Sequence, residues 1–158
     1  MNSYHGLERI DSDSLKRKIV LDASVVAKWI LSGEPWEKKA LELKEKFVNG
    51  EIEIYEPILI VYEIANLLLR AVREGRIDFD DAKTAMKSLN KLGIELFEID
   101  FNQGSELLNT AKQLHTTVYD TAYISLAKEL KATLISADDE MCKKAKTIVK
   151  TKHLKNLR

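Results

Sequence analysis

The sequence predicts an α/β fold in which a parallel sheet is covered by helices on both faces, and three observations lead there. Short apolar runs such as Ile19-Val20-Leu21 and Ala132-Thr133-Leu134-Ile135 alternate with longer segments whose apolar residues recur at helical spacing. Strands separated by helices cannot be joined by hairpins, so they pair in parallel through right-handed crossovers. At 158 residues and 45% hydrophobic content, the chain is the size of one domain with a substantial core.

The elements follow in order. Met1 to Lys18 is polar and without apolar period, a leader outside the fold. Ile19 to Leu21 is a buried strand stopped by Asp22, opening into a helix from Ser24 to Leu31, after which Gly33 and Pro35 mark a turn. Trp36 to Val48 has helical spacing and stops at Asn49-Gly50; Glu53 to Tyr55 is a brief strand. Pro57 suits a first helical turn, and Leu59 to Arg73 carries the stripe Ile60, Ile64, Leu67, Ala71. A helix capped by Asp78 or Asp81 runs to about Leu92, and Ile94 to Ile99 alternates like a strand. Helices are predicted over Asn102 to Leu114 and Tyr119 to Leu130, then a strand to Ile135, a helix from Asp138 or Asp139, and a last strand at Thr147 to Val149. The domain therefore spans 19–150, with a basic tail at 151–158.

Composition excludes several classes. No apolar run reaches the roughly 18 residues of a membrane span, and no secretory signal opens the chain, so a cytoplasmic protein is expected. Cys142 is alone, and His5, His115 and His153 lack metal spacing and read as surface residues. Positive and negative side chains balance at 25 each, so net charge does not announce nucleic acid. After Glu140, Lys143, Lys144, Lys146, Lys150, Lys152, Lys155 and Arg158 form an acid-free run that reads as a solvated tail. Trp29, Trp36, Phe47 and Phe97 fall in apolar patterns, as core or dimer-interface residues. Neither a dinucleotide-binding nor a P-loop glycine pattern occurs.

Acids placed just after strands are the first candidates for a site, because ligands of open α/β sheets bind beyond the carboxyl ends of the strands. Asp22 and Asp138 qualify. Each also has the ordinary reading of a helix cap, and so has Asp100, which precedes a helix. Ser136 and Asp139 form an S-x-x-D capping pattern that, with Ser136 as cap, leaves Asp138 free to face the cleft. Glu63 lines up with Asn66 and Arg70 at the margin of a buried helix face, where pairing with Arg70 is the alternative. Asp120 lies in the first turn of its helix. Four carboxylates at one sheet edge repel and raise one another's pKa unless a cation neutralises them, and hard oxygen ligands select Mg²⁺ or Mn²⁺. Two such ions can hydrolyse a phosphodiester in line.

The words carrying these acids resemble the PIN domain family, especially its VapC-type toxins. Val20-Leu21-Asp22-Ala23-Ser24-Val25-Val26-Ala27-Lys28-Trp29 is similar to the opening motif, Glu63-Ile64-Ala65-Asn66-Leu67-Leu68 to the second, Tyr119-Asp120-Thr121-Ala122-Tyr123-Ile124-Ser125-Leu126-Ala127 to the third, and Thr133-Leu134-Ile135-Ser136-Ala137-Asp138 to the fourth. The resemblance runs from about Val20 to Val149. It implies a three-layer fold on a five-stranded parallel sheet, with Asp22, Glu63, Asp120 and Asp138 as catalytic metal ligands. Ser24, Asn66 and Ser136 would support them, the serines by orienting water or carboxylate. It further implies Mg²⁺ or Mn²⁺ as cofactor, RNA hydrolysis, homodimerisation and inhibition by a small antitoxin. The alternatives are an RNA-processing nuclease without an antitoxin and a non-catalytic α/β binding module. A haloacid-type phosphotransferase, which also begins with a strand-end aspartate, is weakened by Ser24 where a second acid would stand.

Overall fold

A computed structural model describes residues 16–158; the leader expected over Met1 to Lys18 lies outside the described residues up to position 15. From Arg17 onward the chain is already in the sheet. The five strands are β1 (Arg17–Leu21), β2 (Ile52–Pro57), β3 (Glu95–Phe97), β4 (Thr133–Ser136) and β5 (Thr151–His153). All pair in parallel in the order β3-β2-β1-β4-β5. The helices are α1 (Ala23–Ala27), α2 (Glu37–Val48), α3 (Leu59–Arg73), α4 (Phe79–Leu89), α5 (Phe101–Leu114), α6 (Val118–Leu130) and α7 (Asp139–Ala145).

The central strands are uninterrupted apolar runs because both faces are covered. Val20, Leu21, Leu134 and Ile135 are all buried, and Ile19 stands beside Ile54 while Leu21 stands beside Ile135. Strands 1, 2 and 3 advance towards one edge and 4 and 5 towards the other, so the order reverses between β1 and β4. A crevice opens at such a reversal, beyond the carboxyl ends of the two strands. Asp22 and Asp138 follow those ends directly.

Several elements differ from the sequence reading, each for a local reason. The helix expected from Ser24 to Leu31 is α-helical only over Ala23–Ala27. Lys28, Trp29 and Ile30 then bond to carbonyls three residues back, which tightens the last turn. Pro57 closes β2 beside Phe97 instead of opening a helix, tolerated because the strand ends there and no further ladder amide is needed. On α3 the buried stripe is Ile60, Ile64, Leu68 and Ala71; Leu67 sits at its margin.

The last strand is Thr151–His153, not Thr147 to Val149. The amides of Ile148 and Val149 are consumed by bonds to the Ala145 carbonyl that close the turn after α7, so the ladder resumes at Lys150, whose carbonyl accepts from Leu134. The expected basic tail is therefore folded. Leu154 is fully buried, and Lys39 of α2 donates to the carbonyls of Lys155 and Leu157 at 2.5 and 2.6 Å. His153, expected at the surface, is buried.

Candidate active site

Asp22 is placed by the end of β1. Its backbone N–H continues the ladder to the Ile135 carbonyl, which fixes the residue against β4. Its carboxylate caps α1 by accepting from the Ser24 N–H at 2.6 Å, and its second oxygen accepts from the buried Ser136 hydroxyl. Ser136 Oγ in turn accepts from the Asp138 N–H at 3.0 Å. One hydroxyl thus bridges the two strand-end acids.

The capping pattern at β4 resolves differently from the expectation. Asp138, not Ser136, caps α7, with its Oδ1 accepting from Met141 N–H at 2.9 Å. Capping and cleft exposure are compatible, since a carboxylate has more acceptor sites than one cap occupies. Asp100 is the cap of α5, in a reciprocal capping box with Gln103.

Glu63 projects from α3 and accepts from the Tyr123 hydroxyl of α6 at 2.7 Å, in place of the alternative pairing with Arg70. Asn66 and Arg70 follow one and two turns later along the same wall. Asp120 lies in the first turn of α6, where Thr117 caps the helix and the Thr116 hydroxyl donates to Asp120 at 3.2 Å.

These segments enclose one open cleft of about 500 Å³, lined by Asp22, Ser24, Glu63, Asn66, Asp120 and Asp138, with Ser136 buried beneath it. The electrostatics follow from that company. Glu63 is pushed above the ordinary glutamate value first by burial and then by the charges of Asp22 and Asp120, with the Tyr123 hydroxyl opposing. Asp120 is raised by burial and by Asp138 and Asp22, with Thr116 and Lys144 opposing. Each of these two acids feels the charge of others far away in sequence.

The cleft also holds Lys28, Arg70 and Trp36. Lys28 is buried and stands 3.8 Å from Glu34, which Arg76 grips at 2.5 Å. Arg70 is exposed and has no carboxylate partner among the described residues. Trp36, expected as core or interface, lines the cleft with 41% of its surface exposed. Beneath the site Glu56 is fully buried: Oε1 accepts from the Leu21 N–H at 2.8 Å, and burial pushes its pKa well up. The signal for Glu56 was strand alternation, which places it on the inward side with Ile52 and Ile54.

Among the described residues, no three His, Cys, Asp or Glu side chains converge closely enough to form a ready-made metal cage. The donor set still suits Mg²⁺, which keeps several of its waters and takes only one or two carboxylates directly. Ser24 Oγ is buried at the cleft wall and has no hydrogen-bond partner among the described residues, a polar group that a bound ligand or water would satisfy.

Comparison with known proteins agrees with this architecture. The PIN domain family model matches residues 19–147. The chain is 29% identical over 137 residues to a protein named ribonuclease VapC3 from Pyrobaculum aerophilum, covering 84% of this chain and 98% of that one. Its fold is similar to the crystal structure of PAE2754 from Pyrobaculum aerophilum, with TM-score 0.64, 23% identity and coverage of 88% and 85%. It is also similar to FitAcB from Neisseria gonorrhoeae, with TM-score 0.61, 15% identity and coverage of 88% and 99%. A third likeness is to VapBC2 from Rickettsia felis bound to a promoter DNA fragment, with TM-score 0.58, 15% identity and coverage of 86% and 98%.

Proposed function

This chain belongs to the PIN domain family, and from that premise we propose that it is a metal-dependent endoribonuclease, the toxin of a type II toxin–antitoxin pair. The observation that carries the reading is the meeting of Asp22, Glu63, Asp120 and Asp138 around one cleft at the reversal of strand order. The name and overall extent of the Pyrobaculum relative support the choice of RNA as substrate.

Asp22, Glu63, Asp120 and Asp138 are the groups that would hold Mg²⁺ or Mn²⁺. When bound, the cation supplies Lewis-acid stabilisation to a phosphodiester and counters the charge of the acids. The chain does the rest. Ser136 fixes the Asp22 carboxylate and the Asp138 backbone in one arrangement, which matters because sub-ångström placement governs reactivity. Tyr123 holds Glu63 towards the cleft. Arg70, exposed on the wall and unpaired with any described carboxylate, offers positive charge to a phosphate. Ser24 Oγ is available to orient a water or a ligand oxygen.

The same reading includes a homodimer and a small antitoxin. Exposed Tyr62, Leu69, Ile99, Phe101 and Tyr119 supply apolar surface for a second chain to cover. Sedimentation of the purified chain gives the dimer's mass if that reading holds and the mass of 18.0 kDa if it does not.

The test of activity is incubation with structured RNAs in Mg²⁺ or Mn²⁺, with and without chelator, beside Asp22→Asn. Cleavage that needs the metal and Asp22 is expected; cleavage surviving in the mutant points to a contaminant, and none in the wild type rejects the reading. A non-catalytic module is favoured by one observation, that Asp22 and Asp138 both act as caps. For such a module added Mn²⁺ leaves the melting temperature unchanged, whereas a cation that binds the native state raises it.

A further inference from the structure

Among the described tryptophan, tyrosine and phenylalanine residues, Trp36 alone has a left-handed backbone. The contrast with Trp29 is direct. Trp29 is buried, with its indole N–H donating to the Ala40 carbonyl at 2.8 Å, as a structural tryptophan should be. Trp36 has no side-chain hydrogen bond among the described residues, keeps 41% of its surface exposed, and lines the carboxylate cleft.

Its backbone is held where a side chain is seldom found. Trp36 occupies the left-handed region at φ 58°, ψ 22°, at the start of α2. For a bulky residue this is a true outlier, and such outliers persist only where the surroundings impose them. The surroundings do so here. Glu34, two residues earlier, is gripped by Arg76 and Lys28, and Glu37, the next residue, accepts from the Gly33 N–H at 2.9 Å.

The ring is braced as well. It meets the His153 imidazole at 5.0 Å between centroids and 84° between planes. His153 is itself locked: Nδ1 accepts from the Lys155 N–H at 3.0 Å, so Nε2 carries the proton and donates to the Ala137 carbonyl at 3.0 Å. Ala137 is the neighbour of Asp138 and also lines the cleft. The strand expected as a solvated tail thus supports the indole in the cleft that Asp138 also lines. With 41% of the residue exposed, indole surface stays open beside this contact, and an exposed, pre-ordered ring is what base stacking uses.

We propose that Trp36 is a stacking platform for an unpaired nucleobase of an RNA strand lying in the cleft. The inference rests on the nuclease reading for its ligand and adds what kind of RNA the site selects. A base inside a duplex presents no free face, so the platform favours single-stranded segments and loops. Stacking tolerates any base, so Trp36 selects unpaired structure over sequence.

The chain has two tryptophans, which makes the test spectroscopic. A single-stranded hexauridylate with phosphorothioate linkages is titrated into the full chain in Mg²⁺, with intrinsic fluorescence and filter retention read in parallel. Quenching that saturates with binding is expected from the wild type, and an RNA duplex with the same number of phosphates is expected to leave emission unchanged. Trp36→Ala is expected to weaken binding roughly tenfold to a hundredfold, and Trp36→Phe, which can stack, to restore most of that loss while abolishing the quench. Circular dichroism establishes that both variants are folded. Quenching that persists in Trp36→Phe, or wild-type affinity in Trp36→Ala, overturns the proposal while leaving the nuclease reading intact. A wild type that neither retains nor cleaves RNA overturns both.

Discussion

The Ser136 hydroxyl donates to the Asp22 carboxylate across 114 residues of sequence, joining the end of β4 to the end of β1. It simultaneously accepts the Asp138 N–H, so a single buried oxygen sets the spacing of two acids whose strands are neighbours only because the sheet order reverses between them.

Ser136→Ala removes both bonds without opening a large cavity. We predict a loss of about 1–3 kcal/mol in stability, because the Asp22 carboxylate loses a buried donor. RNA cleavage should fall roughly tenfold to a hundredfold as the acids lose registration. Ser136→Thr keeps the hydroxyl and should retain most activity. Chemical denaturation and initial rates check both, and an Ala variant with wild-type rates would show that the bridge is only structural.

Tyr123→Phe deletes the donor to Glu63. That hydrogen bond opposes the upward push of burial on Glu63, so its loss moves the carboxyl further up. The acid limb of the pH–rate profile is expected to shift to higher pH, while rates well above that limb recover towards wild type. An unmoved limb would separate Glu63 from the reaction. The stability cost should be about 1 kcal/mol, the ordinary net value of one hydrogen bond.

Glu56 makes a separate prediction about stability. Its pKa is raised by burial above the unfolded value, so the folded state holds a proton that the unfolded chain releases. Stability from this group is complete below the unfolded pKa and is lost as pH rises from there through the folded pKa. Glu56→Gln lacks that loss and keeps an oxygen for the Leu21 N–H. The melting temperature of the wild type relative to Glu56→Gln should therefore fall as pH is raised above about 4.5, the ordinary glutamate value. A difference independent of pH would contradict the buried, protonated state.

Much of this was legible because the chain repeats one physical pattern. Ile19 to Leu21 and Leu134-Ile135 are unbroken apolar runs that only a strand covered on both faces requires, and each ends in a polar residue where the sheet ends. The acids could be nominated from those ends, and Glu63 from its place beside a buried helix stripe. What lay hidden were the relationships fixed by tertiary contact. Helical spacing could not foresee that Tyr123, in the second turn of a different helix, would claim Glu63 in place of Arg70. The last strand was misplaced because Thr147-Ile148-Val149 has strand propensity but spends its amides on the turn after α7. With the strand went the roles of His153 and Trp36. Glu56 is not legible because an acid among inward-facing strand residues runs against its usual preference; it is tolerated here because Leu21 N–H donates to Oε1 and burial favours the neutral form.

The central claim is that Asp22, Glu63, Asp120 and Asp138 act together on a divalent cation, and titration of Mn²⁺ followed by electron paramagnetic resonance tests it without reference to any RNA. The wild-type chain is predicted to bind Mn²⁺ in competition with Mg²⁺. Asp22→Asn and Asp120→Asn, shown by circular dichroism to be folded, are predicted to lose that binding. A wild type that leaves Mn²⁺ free, or carboxamide variants that bind it equally well, would contradict the account.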